Sequence, residues 1–238
     1  MKIKIAWLYP DLMSTYGDRG NVIVLEKRCV WRGIAADIVP VTLETSTTVL
    51  SSCDIIFMGG AQDRQQKLAS DDFLKHKGPV VKKMIEQGVP ALFVCAAYQF
   101  VGHFYKPYKG EKIPGAGIFD LTTEHPGDQA KRLIGNVVAE IVNPPELKGT
   151  VMVGFENHGG RTLLGPKMKP LAKILKGNGN NGSDGWEGAV YKNSIGSYFH
   201  GPLLPKNPAI ADWLLEKVVG SLTPLDDSLE HQANQAVS

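Results

Sequence analysis

The sequence predicts an α/β protein with a mostly parallel central sheet flanked by helices, and three observations carry that prediction. Residues 2–9 read as a first strand, residues 21–31 carry helical spacing and residues 37–41 read as a second strand, a β-α-β opening. Residues 53–58 and 90–95 are continuous apolar runs without polar alternation, which suits strands buried on both faces. The segment 64–87 between them is expected to be largely helical, so strands and helices alternate as parallel sheets require.

Beyond residue 101 the texture changes to shorter β-like runs at 117–122, 133–142, 150–155 and 189–199. Residues 177–185 are all Gly, Asn, Ser or Asp, and because Gly and Asn tolerate positive φ the segment reads as a flexible connector or hairpin tip. Asn207-Pro208 is a helix start, Asn as cap and Pro at the first position, followed by Ile210, Trp213, Leu214 and Val218 on one face. The domain is expected over residues 1–221, with 222–238 a polar, disordered tail.

A chain of 238 residues suits one large domain better than two. A formal net charge of +2 offers no electrostatic case for nucleic acid. Three widely spaced cysteines, without a Cys-x-x-Cys or Cys/His cluster, suggest neither a disulfide framework nor a metal site. No apolar run approaches roughly 18 residues and no export signal is visible, so a cytoplasmic protein without a transmembrane segment is expected.

Cys95 ends the apolar run 90–94 and opens a helix-like stretch, 96–101. A thiol at such a strand-to-helix elbow stands above the sheet edge, beside the N–H groups of the following helix, and suits a nucleophile. Cys29 and Cys53 sit among apolar neighbours and read as core. A cysteine nucleophile needs a base, and of six histidines His200 and His158 are the candidates. His200 is favoured because it ends the strand-like run 195–199, at the edge where α/β folds gather chemistry. Gly59-Gly60 follows a buried strand, and the N–H of Gly60 with that of Ala96 could form an oxyanion hole.

Cys95-Ala96-Ala97-Tyr98-Gln99, Gly59-Gly60-Ala61-Gln62-Asp63 and Gly196-Ser197-Tyr198-Phe199-His200-Gly201 together resemble the class I glutamine amidotransferases of the cobyric-acid-synthase-like branch. Within it, Tyr16-Gly17-Asp18-Arg19-Gly20-Asn21, Gly154-Phe155-Glu156-Asn157-His158 and the stretch 200–208 resemble the glutaminase subunits of lipid II isoglutaminyl synthases. The resemblance spans roughly residues 3 to 220.

The resemblance implies a flavodoxin-like glutaminase with Cys95 as nucleophile, His200 as general acid/base, and Arg132 and Gln99 as glutamine-binding residues. It implies no cofactor in this subunit. A Mur-ligase-like synthetase partner would use ATP and Mg to amidate the D-glutamate of lipid II in peptidoglycan synthesis, and the lipid-linked substrate would bring the pair to the inner membrane face. Two departures stand out. Ala96-Ala97 replaces the glycine that usually follows the cysteine, and Pro202 occupies the position, two beyond the His, where triad members carry Glu. A Cys–His dyad is therefore expected. The rival readings are an amidotransferase for another carboxylate, such as a cobyrinic-acid-type corrinoid, and a non-catalytic DJ-1-like thiol protein.

Overall fold

The structure, a computed structural model, describes residues 2–61 and 63–237. Strands β1 (Lys2–Leu8), β2 (Ala35–Val41), β3 (Ile55–Met58) and β4 (Ala91–Val94) pair in parallel in the order β4-β3-β1-β2. Helices α1 (Arg19–Val30), α2 (Thr47–Ser51), α3 (Asp63–Asp72) and α4 (Gly78–Glu86) connect them. The segment 64–87, expected to be largely helical, is α3 and α4 joined through a π-helical turn at Phe73–Lys77.

After β4 the chain enters the short helix α5 (Ala96–Phe100) and leaves the main sheet. It builds β5 (Phe104–Lys106), β6 (Ile113–Pro114), β7 (Leu121–Glu124), β8 (Leu133–Ile141), β9 (Val151–His158), β10 (Arg161–Leu164), β11 (Ala172–Lys176) and β12 (Trp186–Glu187). These form two four-stranded sheets, β10-β7-β5-β6 and β12-β11-β8-β9. The run 189–199 is a hairpin, β13 (Ala189–Tyr191) and β14 (Ser194–Ser197), whose second strand returns to the main sheet beside β4. Helix α6 (Pro208–Val219) then covers one face.

The unbroken apolar strands are explained by what covers them. Ile56, Met58, Ala91 and Phe93 point into one core, and Ile55, Phe57, Leu92 and Val94 into the other, because successive strand residues face opposite sides and helices cover both. Asn207 begins α6 without capping it by its side chain; instead its amide bonds Val153 on β9 and Leu203.

The C-terminal segment departs from the expected disorder. Residues Ser228–Gln235 form α7, whose Asn234 donates to Lys206 O at 2.9 Å. Arg28 of α1 is 1% exposed and grips Asp212 of α6 and Asp227 of the tail, at 2.6 Å each. Arg32 adds a bond to Thr223 O at 2.6 Å. The tail lacks an apolar face, and charge pairing and polar hydrogen bonds hold it. Truncation after residue 222 is expected to lower the unfolding free energy by about 1.5–3 kcal/mol, the worth of a charge-assisted bond, in urea titration; an unchanged midpoint would show the tail to be undocked.

Candidate active site

The carboxyl ends of four parallel strands meet at one edge of the main sheet. The loop after β1 brings Asp18, the turn after β3 brings Gly59-Gly60, the elbow after β4 brings Cys95, and the chain leaving β14 brings His200. Register fixes the last two: Ser197 pairs with Val94, and the Cys95 N–H donates to Ser197 O at 2.9 Å.

Cys95 has φ 54° and ψ −106°, a conformation a side chain rarely adopts, and its carbonyl accepts the Gln99 N–H at 3.1 Å. Strain of this kind lifts a nucleophile out of the sheet plane. Cys29 and Cys53 are buried, and burial pushes both thiols up to about 11. Cys95 alone of the three reaches the cleft.

His200 is fully buried and bridged to β9 through Phe155, which accepts its N–H at 2.8 Å. Its imidazole lies beside the Cys95 sulfur, and its Nδ1 lies 3.1 Å from Asp18 Oδ1. The Tyr16 ring meets it edge-on, centroids 5.0 Å apart. Burial opposes a charge here, but the Cys95 sulfur and the Asp18 carboxylate outweigh it and push the imidazole up to about 10. An imidazolium beside a sulfur favours the reactive thiolate.

Two expectations are corrected. Pro202 indeed supplies no acid, yet the Cys–His pair is not a bare dyad, because the buried Asp18 carboxylate touches His200 from a position 182 residues away in sequence. Gly60 does not point its N–H toward an oxyanion; that N–H donates to Asp18 Oδ2 at 2.7 Å. What Gly60 offers is space: a Cβ there would lie 2.8 Å from His200 Cε1 and 3.3 Å from Cys95 Cβ. A Cβ at Gly59 would lie 2.9 Å from Asp18 Oδ2. Gln62 of this motif lies outside the described residues.

Cys95, Ala96, Ala61 and His200 border a cleft of about 300 Å³. Arg132 stands at its rim, its Nε donating to Asn157 Oδ1 and its Nη2 to Asn157 O, both at 2.9 Å. Asn157 in turn donates to the Tyr16 hydroxyl at 2.9 Å. Gln99 borders the cleft too, but its amide is engaged inward: Nε2 donates to the Tyr198 hydroxyl and Oε1 accepts from Gln66, each at 3.2 Å.

His158 lines the same cleft with the opposite electrical character. It stacks on Tyr198 at 3.6 Å, and its Nδ1 lies 2.8 Å from Gly160 O, which fixes Nδ1 as the protonated nitrogen. Burial, reinforced by Arg161, His200 and Arg132, pushes it down to about 3 despite the Gly160 carbonyl. At neutral pH it has no acidic proton to give, which separates the two candidate histidines. Beside it on β9, Glu156 accepts from Asn178 and Gly179 at 2.8 Å each, so the segment 177–185 is anchored at its start. Asp18 and Asn157 were inside recognised motifs, but nothing in the sequence tied either to His200 or Arg132.

Among the described residues no group of three or more His, Cys, Asp or Glu is placed to hold a metal ion.

A parallel sheet carrying a thiol elbow with an imidazole on the neighbouring strand defines a class I glutamine amidotransferase fold. The chain belongs to the CobB/CobQ-like glutamine amidotransferase domain family, whose model matches residues 4–208. It is 40% identical to the GatD subunit of lipid II isoglutaminyl synthase (glutamine-hydrolyzing) from Staphylococcus aureus, across 95% of this chain and 91% of that one. The Streptococcus pneumoniae GatD subunit is 36% identical, across 88% of this chain and 78% of the relative. Cobyric acid synthase of Pelotomaculum thermopropionicum is 29% identical over 64% of this chain, which covers 30% of that protein. In fold it resembles PurLQS from Thermotoga maritima, with TM-score 0.61 and 16% identity over 92% of this chain and 98% of that one. The glutaminase domain of Trypanosoma brucei CTPS gives TM-score 0.60 and 14% identity, over 94% of this chain and 96% of that one.

Iodoacetamide at neutral pH is expected to alkylate Cys95 and spare Cys29 and Cys53, as read by peptide mass mapping; comparable labelling of all three would contradict the distinction drawn between their environments.

Proposed function

We propose that this chain hydrolyses L-glutamine to glutamate and ammonia, and passes the ammonia to a Mur-ligase-like synthetase. That partner, with ATP and Mg, amidates the D-glutamate α-carboxylate of lipid II to D-isoglutamine during peptidoglycan synthesis. The observation carrying this reading is the likeness to two GatD subunits over most of the chain, together with a thiol elbow that shares one cleft with His200.

The geometry supports the following chemistry. The Cys95 sulfur attacks the side-chain amide carbon of glutamine, forming a tetrahedral adduct whose oxyanion takes the N–H of Ala96. Collapse breaks the C–N bond, and His200 delivers a proton to the departing nitrogen, which leaves as ammonia. Water then attacks the thioester with His200 taking its proton, glutamate departs and the thiol is restored. Arg132, held by Asn157 at the cleft rim, pairs with the glutamine α-carboxylate. Gln99 shapes the cleft wall through its bond to Tyr198.

No helix among the described residues is long and apolar enough to cross a membrane. The protein works in the cytoplasm as a heterodimer, meeting the membrane through the lipid-linked substrate of its partner. A corrinoid acceptor is less well supported, since the likeness to cobyric acid synthases stops at about two thirds of this chain. A thiol sensor needs no imidazole against its sulfur.

Cys95→Ala is expected to abolish glutamate release while circular dichroism stays unchanged. His200→Ala should cost on the order of 10²–10⁴-fold in turnover, the worth of a general acid/base. His158→Ala should cost less, and a larger loss there would reverse the assignment. With the co-purified synthetase, ATP and lipid II, the wild type should yield amidated lipid II from glutamine, and the Cys95→Ala complex only when ammonium salt is added. Glutaminase turnover without lipid II amidation would redirect the search to another acceptor.

A further inference from the structure

We propose that Asp18 is the positioning residue of this active site: carried in by the loop between β1 and α1, its carboxylate holds the His200 imidazole at Nδ1 where Pro202 provides no acid. The inference rests on Cys95 and His200 being the reacting pair, and deepens that reading.

Both oxygens of Asp18 bond elements of the site. Oδ1 meets His200 Nδ1 at 3.1 Å, Oδ2 accepts the Gly60 N–H at 2.7 Å, and the residue is fully buried. An uncompensated carboxylate in such a place would be costly, so its partners are what hold it there. With Nδ1 donating to Asp18, Nε2 is the ring nitrogen left to take the thiol proton, and the carboxylate stabilises the imidazolium that forms when it does.

The loop is fastened to the segment that follows His200. The Asn21 side-chain oxygen accepts the Leu204 N–H at 2.9 Å. A Cβ at Gly20 would lie 2.3 Å from Pro202 Cγ, so backbone and proline ring are in close contact. On its other side the loop bonds the glycine turn, Thr15 donating to Gly60 O by its N–H at 3.2 Å and its hydroxyl at 3.1 Å. Pro202 thus fills the place of an acid with a ring against which the acid-bearing loop packs. The motif Tyr16-Gly17-Asp18-Arg19-Gly20-Asn21 acquires a single purpose: Tyr16 edges the imidazole, Asp18 holds it, and Gly20 and Asn21 fix the loop.

Among the described residues, the titratable and charged groups facing His200 are few. Cys95 comes from the elbow, Asp18 and Tyr16 from the loop and His158 from β9; Tyr198 lies beside Cys95 and Arg132 beside His158. His158 and Tyr198 are neutral through the working range, and Arg132 opposes a further positive charge. The Asp18 carboxylate and the Cys95 sulfur are therefore the groups that favour protonated His200. Removing the Asp18 charge lets the imidazolium lose its proton at lower pH.

The test is Asp18→Asn, which keeps the shape and removes the charge. The expected result is a fall in kcat on the order of 10²–10⁴-fold with KM little changed. The alkaline limb of kcat/KM should move toward neutral pH, and iodoacetamide alkylation of Cys95 at neutral pH should slow. An unchanged alkaline limb together with unchanged alkylation would overturn the proposal, even if stability fell. Should the variant not fold, wild-type protein labelled with ¹⁵N-histidine decides: His200 Nδ1 should stay protonated from pH 6 to 9, and an unprotonated Nδ1 in that range would refute the contact's role. Alkylation and NMR are read without glutamine, so a failure of the glutaminase reading stays distinguishable from a failure of this one.

Discussion

The parallel pairing of β14 with β4 is the constraint on which this molecule turns. The chain leaves the main sheet after Cys95, builds two further sheets, and must come back in register, Ser197 opposite Val94, before a thiol and an imidazole can meet. The backbone bond from Cys95 N–H to Ser197 O closes that return. The strained conformation at Cys95 is bearable because this bond and the α5 turn hold it from both sides. Packing of Phe199 and Tyr198 on opposite sides of the returning chain extends both cores up to the site.

Two histidines share one cleft and are driven in opposite directions, although both are buried. The difference is the sign of what surrounds them. His200 faces a sulfur and a carboxylate, which outweigh desolvation, whereas His158 faces arginines and the other histidine, which add to it. A cleft of this kind keeps its proton at one address. Burial alone would have silenced both rings.

Much of this was legible in the sequence. Unbroken apolar strands announced a sheet covered on both faces, and the thiol and the strand-end histidine were visible as candidates because each sat at a strand terminus. What sequence reading missed has a common cause, in that the decisive contacts join residues far apart along the chain. Asp18 reaches His200 across 182 positions, and its partner Gly60 looked like an oxyanion donor because a glycine after a strand so often is one. The docked tail was missed because amphipathic periodicity registers apolar faces, while Asp227 is held by the guanidinium of Arg28, which in sequence looks like any helix-surface cation. The Gly/Asn-rich segment 177–185 reads as slack, yet a single buried carboxylate, Glu156, gathers its first residues.

The glycine pair after β3 bears on how this chain can drift over generations. Any side chain at Gly59 would press on Asp18 and the Met13 carbonyl, and any at Gly60 on His200 and Cys95, before glutamine is ever encountered. These two positions would therefore be retained under selection for a folded protein alone. A descendant that lost its nucleophile and took up other work would still carry the two glycines, a fossil of the site's geometry that outlasts its chemistry.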